Sequence, residues 1–248
     1  MNPAIVIIPT TGADELEEAI QSVLAQTVPT DVLVVFDGAA YARPLRLAHD
    51  PRVHTLVLPF NTGRNRTSRM RPEERGHWYG HRVICAAGCL VNNDYVMMLD
   101  QDNWLRADHV ESCIARIESR PGAPYEMAYA LRNVHRKDGS FVCRDDCQSL
   151  GIHNGVCGHL IDTSCYFLRT DFLMKTSHFW LWGWGGDRRF LQCVSEAYGT
   201  DCMAGTGRYT VHYRLGGNEG SAPEASFVQG NARIDALLGA RPKPWAVE

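Results

Sequence analysis

The chain has 248 residues, of which 45% are hydrophobic and 21% charged, with a formal net charge of −3. That composition suits a soluble globular domain with a sizeable core and gives no electrostatic case for a nucleic-acid partner. No stretch approaches the roughly 20 apolar residues of a membrane span, and the run Ile5–Ile8 is too short for the apolar region of a signal peptide. The expectation is therefore a cytoplasmic protein with no transmembrane segment and with reduced thiols. Nine cysteines, including Cys85 with Cys89, Cys143 with Cys147, and Cys157, lack the paired CxxC knuckles of common zinc sites and read as ordinary thiols.

The first hundred residues alternate strand and helix signals. Ala4–Pro9 is a short apolar run of strand type. Asp14 and Glu17 have capping-box spacing, and Leu16, Ala19, Ile20, Val23 and Leu24 follow as one face of a helix. Asp31–Phe36 is a β-branched run ending at Asp37-Gly38, and Val53–Leu58 is a third strand. Val83, Ala86, Ala87, Leu90 and Val91 mark a helix leading to a strand over Tyr95–Leu99. Continuous apolar strands between amphipathic helices predict an α/β fold, a mostly parallel central sheet with helices on both faces. Ligands of such sheets bind beyond the carboxyl ends of the strands, here Thr10-Thr11, Asp37, Asn61-Thr62 and Asp100-Gln101-Asp102. The long segment between Asn61 and Arg82 carries Arg64, Arg66, Arg69, Arg71 and Arg75, and reads either as a solvated flap or as a phosphate-contacting loop. Arg82, at the start of the following helix, is the best placed of its arginines for a ligand.

The second half is less regular. Asp108 and Glu111 repeat the capping-box spacing before a helical face of Val110, Cys113, Ile114 and Ile117. Tyr125–Val134 and Phe141–Cys143 read as strands joined near Asp138-Gly139. Thr163–Leu168 reads as another strand, and Asp187 opens a helix with Phe190, Cys193, Val194 and Ala197 inside. Arg208–Tyr213 is a late strand carrying His212, and Glu224–Leu238 reads as helix.

Two motifs carry chemistry. Asp100-Gln101-Asp102 puts two carboxylates at the end of a buried strand, which suits a hard divalent cation holding a diphosphate. Trp182-Gly183-Trp184-Gly185-Gly186-Asp187 combines large rings, permissive backbone and a terminal acid, and so reads as a wall against a ligand with a base beside it. A metal–diphosphate site plus a base suggests group transfer from a nucleotide-activated donor. Plainer roles remain open at each position: turn caps for Asp37, Asp100 and Asp102, a helix N-cap for Asp187, core packing for Trp182 and Trp184, and a satisfied strand histidine at 212. His153, His159 and His178 are other candidates for a metal.

These residues resemble a known pattern. The strand–helix–strand start, Asp37 and the Asp-x-Asp strand end resemble family 2 glycosyltransferases of the GT-A fold, a Rossmann-like nucleotide-diphospho-sugar transferase architecture. Leu181–Asp187 is similar to the Trp-Gly-Trp-Gly-Gly-acid motif of β-1,4-galactosyltransferases, and Gly207–His212 with Asn218-Glu219 is similar to the stretch that supplies their late metal-binding histidine. The resemblance implies a single domain over 1–248, with a nucleotide-binding half over 1–103 and an acceptor-binding half over 104–248. It implies a hexosyltransferase using a UDP-linked sugar and a saccharide or other hydroxyl acceptor. Pro9, Thr10, Thr11 and Asp37 would contact the nucleoside, Asp100 the ribose or metal, and Asp102 and His212 the metal. Gln101 and Arg82 would lie in the donor site. Trp182, Trp184, Gly185 and Gly186 would wall the acceptor, with Asp187 as the general base. An imidazole ligand would favour Mn²⁺ over Mg²⁺, and one base opposite the leaving group implies inversion. Arg188 and Arg189 stand where a second acid is usual. A nucleotidyltransferase or a non-catalytic sugar- or nucleotide-binding protein of the same fold are the alternatives.

Overall fold

A computed structural model describes residues 1–63, 80–153, 160–183, 185–217 and 221–247. Arg64, Arg66, Arg69, Arg71, Arg75, Cys157, His159, Trp184 and Asn218-Glu219 lie outside the described residues. Strands β1 (Ala4–Thr10), β2 (Thr30–Phe36), β3 (Val53–Val57) and β4 (Tyr95–Met98) pair in the order β3-β2-β1-β4, every pair parallel. Residues Ala4 to Ile8 are at most 6% exposed. Neighbours on a strand point to opposite faces, so both faces of β1 are covered. That is why the run is continuously apolar and not alternating. The pairings Thr10 with Phe36 and Phe36 with Val57 bring three strand ends level. Asp37, the loop at Asn61 and the acids after β4 thus emerge along one edge.

Helices α1 (Leu16–Leu24) and α2 (His81–Ala87) pack against β2 and β1 respectively. Neither expected capping box forms. Before α1 no side chain caps the helix, and Glu17 instead accepts a hydrogen bond from the Arg46 backbone N–H at 2.8 Å. Before α3 (His109–Ile117), Asp108 pairs with Arg106 at 2.5 Å, while Glu111 accepts from Thr27 Oγ1 at 2.9 Å. In both places a tertiary partner outcompetes the local one.

The sheet continues through β8 (Tyr166–Arg169), β6 (Met127–His135), β9 (Met203–Arg214) and β5 (Trp104–Leu105), giving the order β3-β2-β1-β4-β8-β6-β9-β5. Here β8 is antiparallel to both β4 and β6, β9 is parallel to β6, and β5 is antiparallel to β9. Strand β7 (Phe141–Arg144) folds back on β6, with Gly139 at φ +85° in the turn. The strand expected over Thr163–Leu168 starts only at Tyr166. Residues Thr163–Cys165 form a 3₁₀ turn because Asp162 caps the Ser164 N–H. Helix α4 (Thr170–Thr176) follows β8 directly and was not signalled. Helix α5 (Gly186–Tyr198) opens beside Asp187, and α6 (Glu224–Leu238) matches its expected span. The main core fills both sides of the sheet. A second, smaller core of Leu131, Val134, Leu150, Tyr209, Phe227, Ile234 and Trp245 lies beneath α6. No helix among the described residues is long and apolar enough to cross a membrane.

Candidate active site

One end of the site is built from backbone hydrogen bonds. Asp37 follows β2 and is 3% exposed. Its Oδ1 accepts from the Thr62 N–H at 2.7 Å, and Asn61 Nδ2 donates to both its Oδ2 and its carbonyl. Asp37 therefore fixes the loop after β3, and Gly63 closes against it. Thr62 Oγ1 is buried there without a hydrogen-bond partner among the described residues. Gln101 does the same for the loop after β1. Its Oε1 accepts from Thr10 Oγ1 at 2.6 Å, the Thr11 N–H at 3.0 Å and the Ala13 N–H at 3.3 Å. Thr10 Oγ1 and the Gln101 carboxamide oxygen are thus spent on the fold, while Pro9 and Thr11 line the edge. Arg82 Nη1 reaches the Thr62 carbonyl at 3.5 Å from the start of α2.

The other end is a concentration of acids. Asp100 leaves β4 with its N–H donating to Ser164 Oγ at 3.1 Å, and Ser164 Oγ donates back to Asp100 Oδ2 at 3.2 Å. Asn103 Nδ2 donates to the same hydroxyl at 3.1 Å. Burial, then the charges of Asp162, Asp102 and Asp187, push the Asp100 carboxyl well above its usual range. Asp102 is pushed up to about 6, by burial first and then by Glu15 and Asp162, with Arg214 pulling the other way. Asp187 is also pushed up to about 6, by burial and Asp162, against the Arg188 N–H that bonds its Oδ1 at 2.7 Å. Burial thus outweighs the favourable end of α5 that would keep this acid strongly ionised. At neutral pH Asp187 remains mostly ionised, with about one unit in hand.

Asp162 links these acids and was missed, as was its partner. Arg132, 3% exposed, donates through Nη1 to Asp162 Oδ2 at 2.5 Å and through Nε to Asp145 Oδ2 at 2.7 Å. Its guanidinium also lies 4.3 Å from the centroid of the Tyr213 ring. Asp145, completely buried, accepts from the N–H groups of Cys147, Gln148 and Ser149. Burial would raise its carboxyl, but Arg132 and these N–H groups hold it below the usual range. A signal existed: an arginine inside the apolar run Met127–Val134 demands a buried anion.

His212 pairs with His135. Its Nδ1 is 2.9 Å from His135 Nε2, and its ring stacks on Trp104, its cross-strand partner, at 4.9 Å between centroids. His135 Nδ1 faces the Gly139 carbonyl at 3.0 Å and so donates, which leaves His135 Nε2 to accept from His212. Burial and His135 lower the His212 pKa to about 4. The residue that abuts the Asp102 carboxylate is Gly217, where a Cβ would overlap Oδ2. Among the described residues no three metal-capable side chains converge, and the described cysteines are free thiols. Of the other candidate histidines, His178 lies against Phe179 with the rings tilted by 56°.

In the Trp/Gly motif, Trp182 is 52% exposed, with the Arg189 guanidinium 5.6 Å from its ring centroid. Gly185 adopts φ +77° to start α5, and Gly186 packs against His81. Tyr166 donates to the Asp187 carbonyl at 3.0 Å. The buried aromatic of this region is Trp180, 0% exposed and stacked on Phe190.

No protein-family model matches the chain, and no curated protein matches it. Solved structures do. Staphylococcus aureus TarS 1–349 in complex with UDP superposes with a TM-score of 0.59 at 14% identity, over 87% of this chain and 61% of that one. The same protein without ligand gives 0.61 at 14%, over 86% and 60%. Its complex with UDP-GlcNAc gives 0.56 at 14%, over 88% and 60%. The chain spans about three-fifths of the length of TarS 1–349. The likeness establishes the expected GT-A α/β fold.

Proposed function

We propose that this chain is a glycosyltransferase that moves a hexose from a UDP-linked donor to an acceptor hydroxyl with inversion, in the reducing cytoplasm. The observation that carries the reading is that Asp100, Asp102 and Asp187 are all buried with raised pKa values, each feeling the charge of Asp162. Two buried cations adjoin them: Arg132 is shared between Asp162 and Asp145, and Arg214 donates to the Asp102 carbonyl and to Glu18. That excess of carboxylate is what a cation relieves. TarS bound to UDP and UDP-GlcNAc on the same fold supports a nucleotide sugar as the donor class.

Pro9, Thr11 and the loop held by Asp37 would line the nucleoside, with the unpartnered Thr62 Oγ1 available to it. Arg82 would face the diphosphate. Asp100 and Asp102 would hold a divalent cation, whose charge would offset that developing on the leaving diphosphate. Two carboxylates completed by phosphate and water fit Mg²⁺ as well as Mn²⁺. His212, whose Nδ1 donates to His135 and whose Nε2 is left to accept, would favour Mn²⁺ if it joined them. Asp187 would take the proton of the acceptor hydroxyl as its oxygen bonds to the anomeric carbon and the bond to the diphosphate breaks. Trp182 would offer its exposed face to the acceptor.

Turnover of a panel of nucleotide sugars, with Mg²⁺, with Mn²⁺ and with neither, tests this. Cation-dependent release of UDP from a UDP-sugar is expected. A chain inert toward the whole panel overturns the enzyme reading, and equal turnover without a cation overturns the role of Asp100 and Asp102.

A further inference from the structure

We propose that His81 is a positioning residue for Asp187, clamping the turn that presents this acid and tying it to the loops of the donor side. The inference rests on the reading above, in which Asp187 is the base. Gly80, His81 and Arg82 stand at the start of α2, and each meets a different part of the site. Gly80 adopts φ +78°, and a Cβ there would lie 3.0 Å from Pro9 Cβ. Arg82 reaches the Thr62 carbonyl. His81 faces the Trp/Gly motif.

Its Nδ1 is 2.9 Å from the Trp182 carbonyl oxygen. A carbonyl only accepts, so Nδ1 carries the proton. The ring is 5% exposed, and burial lowers its pKa against the pull of the Trp182 and Gly183 backbone, keeping it neutral. The same ring occupies the space beside Gly186, where a Cβ would overlap Nδ1 and Cε1. Gly186 is not in the left-handed region, so its lack of a side chain answers to space and not to backbone conformation. Trp180 backs the ring at 5.6 Å between centroids. One side chain therefore holds the turn at residue 182 and at residue 186, and the next residue is Asp187. A base misplaced by about 1 Å can lose about a hundredfold in rate. A clamp on its turn therefore bears on chemistry while leaving the nucleotide pocket alone.

Three variants test this. His81→Phe keeps a ring but removes the donor. His81→Asn returns an N–H near the place of Nδ1. Gly186→Ala drives a methyl into the ring from the other side. The probe is the UDP-sugar that the wild-type chain turns over fastest, with UDP affinity measured by calorimetry. His81→Phe and Gly186→Ala should lower kcat about tenfold or more, with UDP affinity unchanged within about twofold. His81→Asn should recover most of the rate. Should His81→Phe fail to fold, Gly186→Ala carries the same test. If both variants turn over at the wild-type rate while Asp187→Asn is slow, the inference falls and the reading of the site stands. UDP affinity falling in step with kcat also overturns it, since His81 would then support the donor pocket. A wild-type chain inert toward every UDP-sugar, or Asp187→Asn as fast as wild type, overturns the reading itself and the inference with it.

Discussion

The two ends of the site handle their acids in opposite ways. At the Asp37 end, carboxylate and carboxamide oxygens meet N–H and O–H donors from adjacent loops. At the Asp187 end, burial and the charge of Asp162 raise the pKa values of Asp100, Asp102 and Asp187. The first arrangement satisfies its acid without a ligand and fixes two loops. The second is incomplete and stores charge that a cation or a proton can discharge. In the proposed reading, recognition would rest on rigid backbone, and chemistry on groups whose protonation is close to changing.

The harshest way to break this contrast is to remove the cation that steadies the acidic end. Arg132→Met strands Asp145 and Asp162 without their shared partner, and loss of one member of a buried ion pair costs about 3–5 kcal/mol. Urea unfolding should show a loss of that size. A loss under about 1 kcal/mol would mean that the N–H groups around Asp145 suffice. Next in size is Asp187→Asn, expected to slow transfer by about a hundredfold or more, the scale of a lost general base, while UDP binding measured by calorimetry survives. In the wild type, the rate should fall about tenfold per unit below pH 6, since Asp187 must be ionised to accept a proton and its pKa is about 6.

The acidic end can also be sharpened by titration. The raised carboxyls bind more protons folded than unfolded between their ordinary pKa near 3.8 and about 6. Folding stability from these groups is therefore greatest below that window and is lost as pH rises through it. Mg²⁺ or Mn²⁺ should consequently raise the melting temperature at pH 7.5 more than at pH 5, and Asp102→Asn should shrink the shift. An equal shift at both pH values would place the cation elsewhere. The smallest effect is expected at the quiet end. Asp37→Ala should weaken UDP about tenfold by loosening the loop at Thr62, without altering the cation response, and Asp37→Asn should do less because it still accepts the Thr62 N–H.

Legibility follows the same divide. The parallel half could be read because buried strands are continuous apolar runs and their ends carry the polar residues. Asp37, Asp100 and Asp102 came from that rule, and the structure puts them on one edge, whereas Arg82 came from its place at the start of a helix. What could not be read is who pairs with whom. Gln101 looked like part of a ligand motif, yet it holds the loop after β1. The β5–β9 register sets His212 on Trp104, with its Nδ1 toward His135, and Gly217 lies against Asp102. Asp162, Ser164 and His81 stand in segments without periodicity, and their importance arises from contacts across 30 to 101 residues that no local pattern encodes.

The acids also arrive from both sides of the antiparallel seam where the parallel strands end and β4 meets β8. Asp100 and Asp102 follow β4, whereas Asp162 precedes β8 and Asp187 comes later still. Nothing brings them together until that long-range pairing closes, and distant pairings form slowly. The repulsion is therefore felt late on the folding path, when the two halves dock. Mild acid or a divalent cation should speed that final docking, so refolding buffers for this chain are best kept near pH 5 or supplied with metal.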